Sequence, residues 1–296
     1  MATTAANLET YTRALLREAT AGGFTSAQVI QWLNEAQRIF VFKTNCLKAV
    51  GSIATVAQVR DYALPSDLID FNSIDGVYYD QDVKLQRLSQ VEFYNYAGSA
   101  PYQSGQPEFY MLENGRLNIY PIPGSSDDAA TTTLGAAISD TTGTTVTVAA
   151  NTVFPFTSGR FIVDTEVIEF RGTSSTTSLI NCRRGVEGTT AATHSNGATI
   201  TERDLRLIYV RVPLTMVSGS VDSEIPDPYV HSLTHYAAAM GFQRRGDMKA
   251  AQMYLQQWER EVAEANSYLN DIGKHKDRYP QILPMDAVAR TGYGRV

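Results

Sequence analysis

Apolar residues recur at helical spacing through "GFTSAQVIQWLNEAQRIFVFKTNCL". Val29, Leu33, Ala36, Phe40 and Leu47 share one face and predict a helix of about 20 residues. Its start is marked by Thr25 as N-cap and by Gln28 three residues later, with Phe24 placed to staple against Val29. A shorter amphipathic helix is expected from Asn7 to Ala19. From Ser52 to Tyr120 the period shortens to β-type runs separated by turn residues, among them "VAQVRDYALP", "SIDGVYYD" and "PEFYMLENGRLNIYPIP". "ENGR" between "FYML" and "LNIY" predicts a hairpin, because Asn-Gly adopts the positive φ angles of a tight primed turn. "LSQVEFYNY" is open between strand and a short helix capped by Ser89.

Residues 129–201 have another texture. Thr, Ser, Ala, Gly and Val dominate, Arg160, Arg171, Arg183 and Arg184 supply all the cationic side chains, and alternating stretches are punctuated by turns. This predicts a small all-β module. It sits between "LNIYPIPGSSDD" and "DLRLIYVRVP", two segments read as neighbouring strands of one sheet, so an insertion into a hairpin of a host domain is expected.

Helical patterning returns after "EIPDPYV". Asp227 as N-cap and Pro228 in the first turn predict a helix buried through Tyr229, Leu233, Tyr236, Ala237 and Met240. Gly246 breaks it and Asp247 caps the next. There Met248, Ala251, Leu255, Trp258, Val262, Ala265, Leu269 and Ile272 follow at alternating steps of three and four, and Gly273 is expected to close the run. At 1.5 Å per residue that helix would be roughly 37 Å long. The tail beyond has two prolines, two glycines and no sustained period. Lys274, Lys276, Arg278, Arg290 and Arg295 against Asp277 and Asp286 give it a formal charge of +3. Its Tyr279, Ile282, Leu283, Met285, Val288 and Tyr293 are more apolar than a solvated tail needs, which predicts an arm that orders against a partner.

The expected fold class is therefore α+β. A discontinuous helical core with a small β-sheet spans 1–128 and 202–273, an inserted all-β domain spans 129–201, and an extended C-terminal arm spans 274–296.

Composition narrows the function. A chain of 296 residues with 43% apolar content can bury one large core or two smaller ones. Net charge of −6 argues against wrapping nucleic acid with a basic surface, while leaving room for an acidic wall past which DNA slides. No stretch approaches the roughly 20 apolar residues of a membrane span, so no membrane partner is expected. Cys46 and Cys182 lack disulfide or metal spacing and are expected as free thiols.

Candidate chemistry is sparse. His231 and His235 lie four apart, a spacing at which two imidazoles on a helix can share a metal, but Ser232 stands where a metalloprotease has its Glu. "FIVDTEVIEF" carries Asp164, Glu166 and Glu169. As one strand it would place Asp164 and Glu166 on one face and Glu169 on the other, at about the 7 Å spacing between same-face side chains that a carboxylate pair could use. The module lacks the Trp and Tyr of a sugar site, so turn hydrogen bonds and pairing with Arg183 or Arg184 are the expected use of these acids, and the stretch is read as the central hairpin of the inserted domain. No phosphate loop, dinucleotide fingerprint or nucleophile elbow is present, and "GVEGTT" reads as a turn. Catalytic, cofactor-binding and metal residues are accordingly expected to be none.

The ordered set "YALPSDLIDFNSI", "GQPEFYMLENGRLNIYPIP", "LRLIYVRVPL" and "EIPDPYVHSLTHYAAAMGFQRRGDMKAAQMYLQQWEREV" resembles the head-to-tail adaptor (connector) proteins of tailed bacteriophages, over about 20–125 and 203–272. The segment from Phe154 to Ile200 resembles a β module of phage structural proteins, matching at Phe154, Pro155, Gly159, Asp164, Glu166, Ile168, Arg184, Gly185, Gly188, Thr189, His194, Gly197 and Ala198. The resemblance implies a non-enzymatic virion protein of the neck, assembled in the bacterial host cytoplasm. It implies a self-associated ring, commonly a dodecamer, that docks on the portal protein and continues the channel for genomic DNA. Tail, nozzle or tail-fibre proteins would attach below or at the module. Tyr279, Ile282, Leu283, Met285, Val288, Arg290 and Tyr293 are the expected portal or subunit contacts, and Leu255, Trp258, Val262 and Leu269 the helix seam. A receptor- or carbohydrate-binding protein acting through the module is the rival reading.

Overall fold

The computed structural model describes residues 4–18, 23–80, 83–98, 103–124, 129–152, 154, 158–217 and 221–276, with the side chains of the last helix to residue 269. Among the described residues there are five α-helices: α1 (Ala5–Leu15), α2 (Ser26–Thr44), α3 (Gln90–Ala97), α4 (Ser232–Arg244) and α5 (Met248–Lys276). The chain divides into two compact units. Met1–Cys46 and Pro213–Val296 form a helical unit, and Leu47–Val212 a β-rich unit.

In the helical unit α4 is the hub, packed against by α1, α2 and α5. Its Leu233, Tyr236 and the run Ala237 to Ala239 are buried, and the small residues let neighbours approach on several sides. Gly241 is one such position: a Cβ there would lie 2.6 Å from a Leu16 methyl. Helix α2 begins with the expected capping box, Thr25 and Gln28 bonding each other's backbone. Phe24 stacks edge-on against Trp32, at 5.0 Å between ring centroids. Arg13 ties the start of this unit together, bonding Glu9, Glu18 and the Phe24 carbonyl. Two side-chain amides on α2 hold the segment that leads into α4. Asn34 exchanges hydrogen bonds with the backbone of Met216, at 3.1 and 2.7 Å. Gln37 donates to the Leu214 carbonyl at 2.8 Å and accepts from the Ser223 hydroxyl at 2.7 Å.

Four boundaries differ from the sequence reading. Helix α2 ends at Thr44, where Asn45 takes the left-handed C-cap conformation, so Leu47 lies outside the helix whose face it was read to share. Helix α1 stops at Leu15, and Arg17 takes a positive φ of 55°. Residues 227–231 form successive tight turns, with Tyr229 N–H donating to Pro226 O and Ser232 N–H to Tyr229 O, so α4 starts only at Ser232. Gly246 does break the pair, at φ 81°, and the Asp247 carboxylate caps α5 through Ala250 N–H. Gly273 does not end α5, which continues to Lys276. A glycine weakens a helix by about 1 kcal/mol without obliging it to stop.

The β-rich unit contains, among its described residues, β1 (Lys48–Ile53), β2 (Asp61–Ala63), β3 (Ile74–Tyr79), β4 (Val83–Lys84), β5 (Gln86–Arg87), β6 (Phe109–Glu113) and β7 (Arg116–Tyr120). Within 129–201 and its edge follow β8 (Thr131–Thr133), β9 (Thr145–Thr147), β10 (Gly159–Val163), β11 (Glu166–Phe170), β12 (Thr173–Ser175), β13 (Ser178–Ile180), β14 (Arg183–Val186) and β15 (Thr199–Glu202), and then β16 (Leu205–Val210). The β6–β7 hairpin turns at Asn114 and Gly115, φ 51° and 75°, and α3 carries a Ser89 capping box with Glu92.

The expectation that "LNIYPIP" and "DLRLIYVRVP" are neighbouring strands is wrong. Strand β7 lies in the sheet β2-β7-β6-β5, and β16 in the sheet β1-β16-β3-β4. Both contribute to one core, where Tyr62, Tyr110, Leu117 and Ile119 meet Val77, Leu205, Leu207 and Tyr209. Two strands that point apolar residues into a shared core show the same alternation whether they lie side by side or in separate sheets. Strands β8 to β15 form two sheets of their own, β14-β11-β10-β15-β8 and β12-β13-β9, around a separate core that includes Phe154, Phe161, Phe170, Leu179 and Ile200.

Candidate functional site

The stretch "FIVDTEVIEF" is a hairpin, as its reading as the central hairpin of the module expects, and not the single strand on which the parity argument rests. Asp164, at φ 51°, and Thr165 form the turn, and Val163 pairs with Glu166. The single-strand placement of Asp164 and Glu166 on one face therefore does not apply. Glu166 is fully buried and each of its oxygens is saturated with donors. Oε1 accepts from Arg184 Nε at 2.7 Å and Gly185 N–H at 2.9 Å, while Oε2 accepts from Arg184 Nη2 at 2.7 Å and Ala192 N–H at 3.0 Å. His194 Nε2 lies 2.8 Å from Oε2, and its Nδ1 lies 2.7 Å from Asp164 Oδ2. Burial opposes ionisation of Glu166, but the hydrogen bonds from Arg184, His194, Ala192 and Gly185 outweigh it and hold its carboxyl down at about 2. An ionised carboxylate with every lone-pair direction occupied serves as a cross-link among β11, β14 and the loop at 192–194. Pairing with Arg184 was legible in the sequence, whereas the contacts of His194 and Ala192 were not. Glu169 is also paired, with Arg171 Nε at 2.6 Å and Arg160 Nη2 at 3.6 Å.

A second polar cluster lies where the module meets the sheet that carries β1 and β16. Glu187, in the turn "GVEG" at φ 59°, accepts from Ser52 N–H at 3.0 Å and from Arg160 Nη1 at 2.8 Å. Asp204 accepts from Thr55 N–H at 2.8 Å and is also bonded by the Thr55 hydroxyl. Burial pushes the Asp204 carboxyl up to about 6. Burial and then the negative charges of Asp204 and Asp80 push Glu202 up to about 8. This second cluster was not singled out from the sequence, where Glu187 reads as a turn residue and 202–204 as a strand boundary.

On α5 the seam residues separate. Trp258 and Val262 are buried within the helical unit, Trp258 lying 5.0 Å from Tyr236 between ring centroids with Lys43 Nζ 4.9 Å above its ring. Leu255 and Leu269 are half-buried. The helix also presents Met248, Met253 and Tyr268 to solvent, and Tyr11 and Phe42 are exposed on α1 and α2. His231 and His235 are not brought together on one helix face. His231 precedes α4 and packs edge-on against Tyr11, while His235 bonds Glu261 at 2.9 Å and stacks on Tyr254. Cys46 and Cys182 are both free thiols, and burial pushes Cys182 up to about 11. The arm residues Tyr279, Ile282, Leu283, Met285, Val288, Arg290 and Tyr293 lie outside the described residues.

Two helices followed by small sheets, and behind them the module only as far as β10, make up the region over which a known family aligns. The family model described as SU10 adaptor protein matches residues 3–163, more than half of the chain. The chain belongs to the SU10 adaptor protein family. This is a phage head-tail adaptor family, which makes the protein a structural phage adaptor and implies a place in the virion neck. Such adaptors are generally non-enzymatic. The SU10 adaptor match takes in α1, α2, β1 to β7 and the module as far as β10; the remainder of the module, β16, α4 and α5 lie beyond it. A comparison with curated proteins found no match. Among the described residues no helix is long and apolar enough to cross a membrane.

Proposed function

We propose that this SU10-family adaptor closes into a ring, dodecameric in the simplest form, that docks on the portal and continues the DNA channel toward the tail. The match over residues 3–163 carries the reading. Exposed apolar side chains are available for such contacts, among them Tyr11, Phe42, Met248, Met253 and Tyr268 of the helical unit. A ring closed through many such contacts is durable even where each is weak, at roughly 25 cal/mol per Å2 buried. A net charge of −6 suits a channel wall that lets DNA pass without holding it.

The C-terminal arm is assigned to the portal, and the module of 129–201, with its own sheets and core, is assigned to the tail or its fibres. Truncation after Lys276 tests the arm. The shortened chain is expected to fold with unchanged helical circular dichroism and to lose co-purification with the portal protein, whereas retained co-purification rejects the assignment. The carbohydrate-binding alternative is weakened by Phe154, Phe161 and Phe170, which are packed together in the module core and offer no face to a sugar.

A further inference from the structure

The module of 129–201 and the sheet β1-β16-β3-β4 do not share a core. Among the described residues their apolar interiors are separate clusters, one including Phe161, Phe170 and Ile200 and the other Val77, Leu207 and Tyr209. Two half-open cavities lie along the junction. One, of about 390 Å3, is lined by Ser52, Arg160 and Arg203 among others. The other, of about 510 Å3, opens between Ile53, Leu64 and Pro65 of the host and Ile162, Thr165 and Val167 of the module. Ser52 and Arg203 line both cavities, so they stand between them, and there the contact narrows to a polar bridge.

Glu187 is the centre of that bridge. Its Oε1 accepts from the Ser52 hydroxyl and from Arg160 Nη1 at 2.8 Å, and its Oε2 accepts from Ser52 N–H at 3.0 Å. Arg203 Nη2 lies 3.7 Å from Oε2, and Arg203 Nε donates to Ser52 Oγ at 2.8 Å. Glu187 does this from a φ of 59°, a left-handed conformation that glycine adopts freely and a residue with a Cβ does not. Gly185 and Gly188 hold such angles in the same turn, at 60° and 76°. A carboxylate kept between them despite the strain points to a use for the side chain across the junction. The backbone joint is narrow as well, because both chain crossings meet at Thr55: its carbonyl accepts from Ala129 N–H at 3.3 Å, and its N–H donates to Asp204 at 2.8 Å. We propose that the module is a hinged body that pivots at Thr55 and is latched onto β1 by Glu187, so that release of this carboxylate lets it rock between the two cavities with both cores intact. One chain could then present the module at more than one angle.

The hinge lies within one chain, so its test does not depend on ring formation or on the portal. Spin labels at the exposed positions Thr176→Cys in the module and Lys84→Cys in the host, in the full-length protein with Cys46→Ser and with Cys182 left buried, report the angle through their distance distribution. With Glu187 in place the pair should give one narrow distance. Glu187→Gly removes the carboxylate while suiting the φ of the turn, so the module should stay folded and the distribution should widen at least about twofold. Glu187→Gln can still accept from Ser52 but loses the charge that holds Arg160, and should widen it less. A second label pair, Thr176→Cys with Asn196→Cys, lies wholly within the module and should stay narrow in each variant. A Glu187→Gly distribution as narrow as that of the parent would overturn the latch. Equal widening of the pair inside the module would overturn the hinge, since the change would then be a loosening of the module itself.

Discussion

Replacing Glu166 by Gln keeps the side chain's shape and removes its charge, and the geometry gives the cost. Oε1 faces two donors and Oε2 faces two donors and a His194 nitrogen, so either orientation of the new amide turns its NH2 against at least two N–H groups. The Arg184 side chain, only 5% exposed, loses its counter-charge where water cannot replace it. Breaking a buried ion pair from one side costs about 3–5 kcal/mol. For a unit of this size, at about 2–4 °C per kcal/mol, the melting transition should fall by roughly 10 °C. Calorimetry of the full chain measures the shift, and amide exchange locates it. Gly185 and Ala192 N–H donate to Glu166 and should lose protection, while β1–β16 amides change less. The carboxyl is held at about 2 in the fold, against 4.5 unperturbed. Its contribution is therefore complete above pH 4.5 and lost as pH falls toward 2, and the gap between wild type and variant should close over that window. A transition within about 1 °C of wild type at pH 7, with both amides still protected, would refute the cross-link.

The acids at the module boundary should act with the opposite sign. Glu202 is raised to about 8, so its stabilisation is complete below pH 4.5 and lost as pH rises through 8; Glu202→Gln should stabilise at pH 8 by on the order of 1–3 kcal/mol and be neutral near pH 4, as read by denaturant titration. Gln37→Ala removes the amide that bonds Leu214 O, Ser223 and Glu224 N–H and should cost about 2 kcal/mol, with exchange at Glu224 rising first. Truncation after Lys276 should abolish portal co-purification without changing the melting curve of the helical unit.

Features set by neighbours along the chain were legible in the sequence. Thr25 caps as its spacing with Gln28 demands, and Asn114–Gly115 turns because those residues accept positive φ, whereas the segment at Ser89, open between strand and helix in the sequence, is a helix with a Ser89–Glu92 capping box. Features set by distant partners were not. Asp227–Pro228 is a good helix start, but the tight turns after Pro226 use the same residues, and α4 begins five positions after Asp227. Strands β7 and β16 both show apolar alternation, which reveals a shared core without revealing which sheet each joins. The acids of the hairpin were readable as paired, since Arg184 follows closely in the same module. The ring of donors from Gly185, Ala192 and His194 needed the fold, because it depends on how the 183–194 loop closes over Glu166. Glu187, Asn34 and Gln37 carry no local motif, and their roles come from segments far away in the chain.

Electron microscopy of the purified protein mixed with its portal tests the ring most directly. Closed rings of about twelve copies with an open central channel, seated coaxially on the portal and absent after truncation at Lys276, are the predicted result. Single copies or open filaments that leave the portal bare, at concentrations where both proteins are intact, would contradict the account.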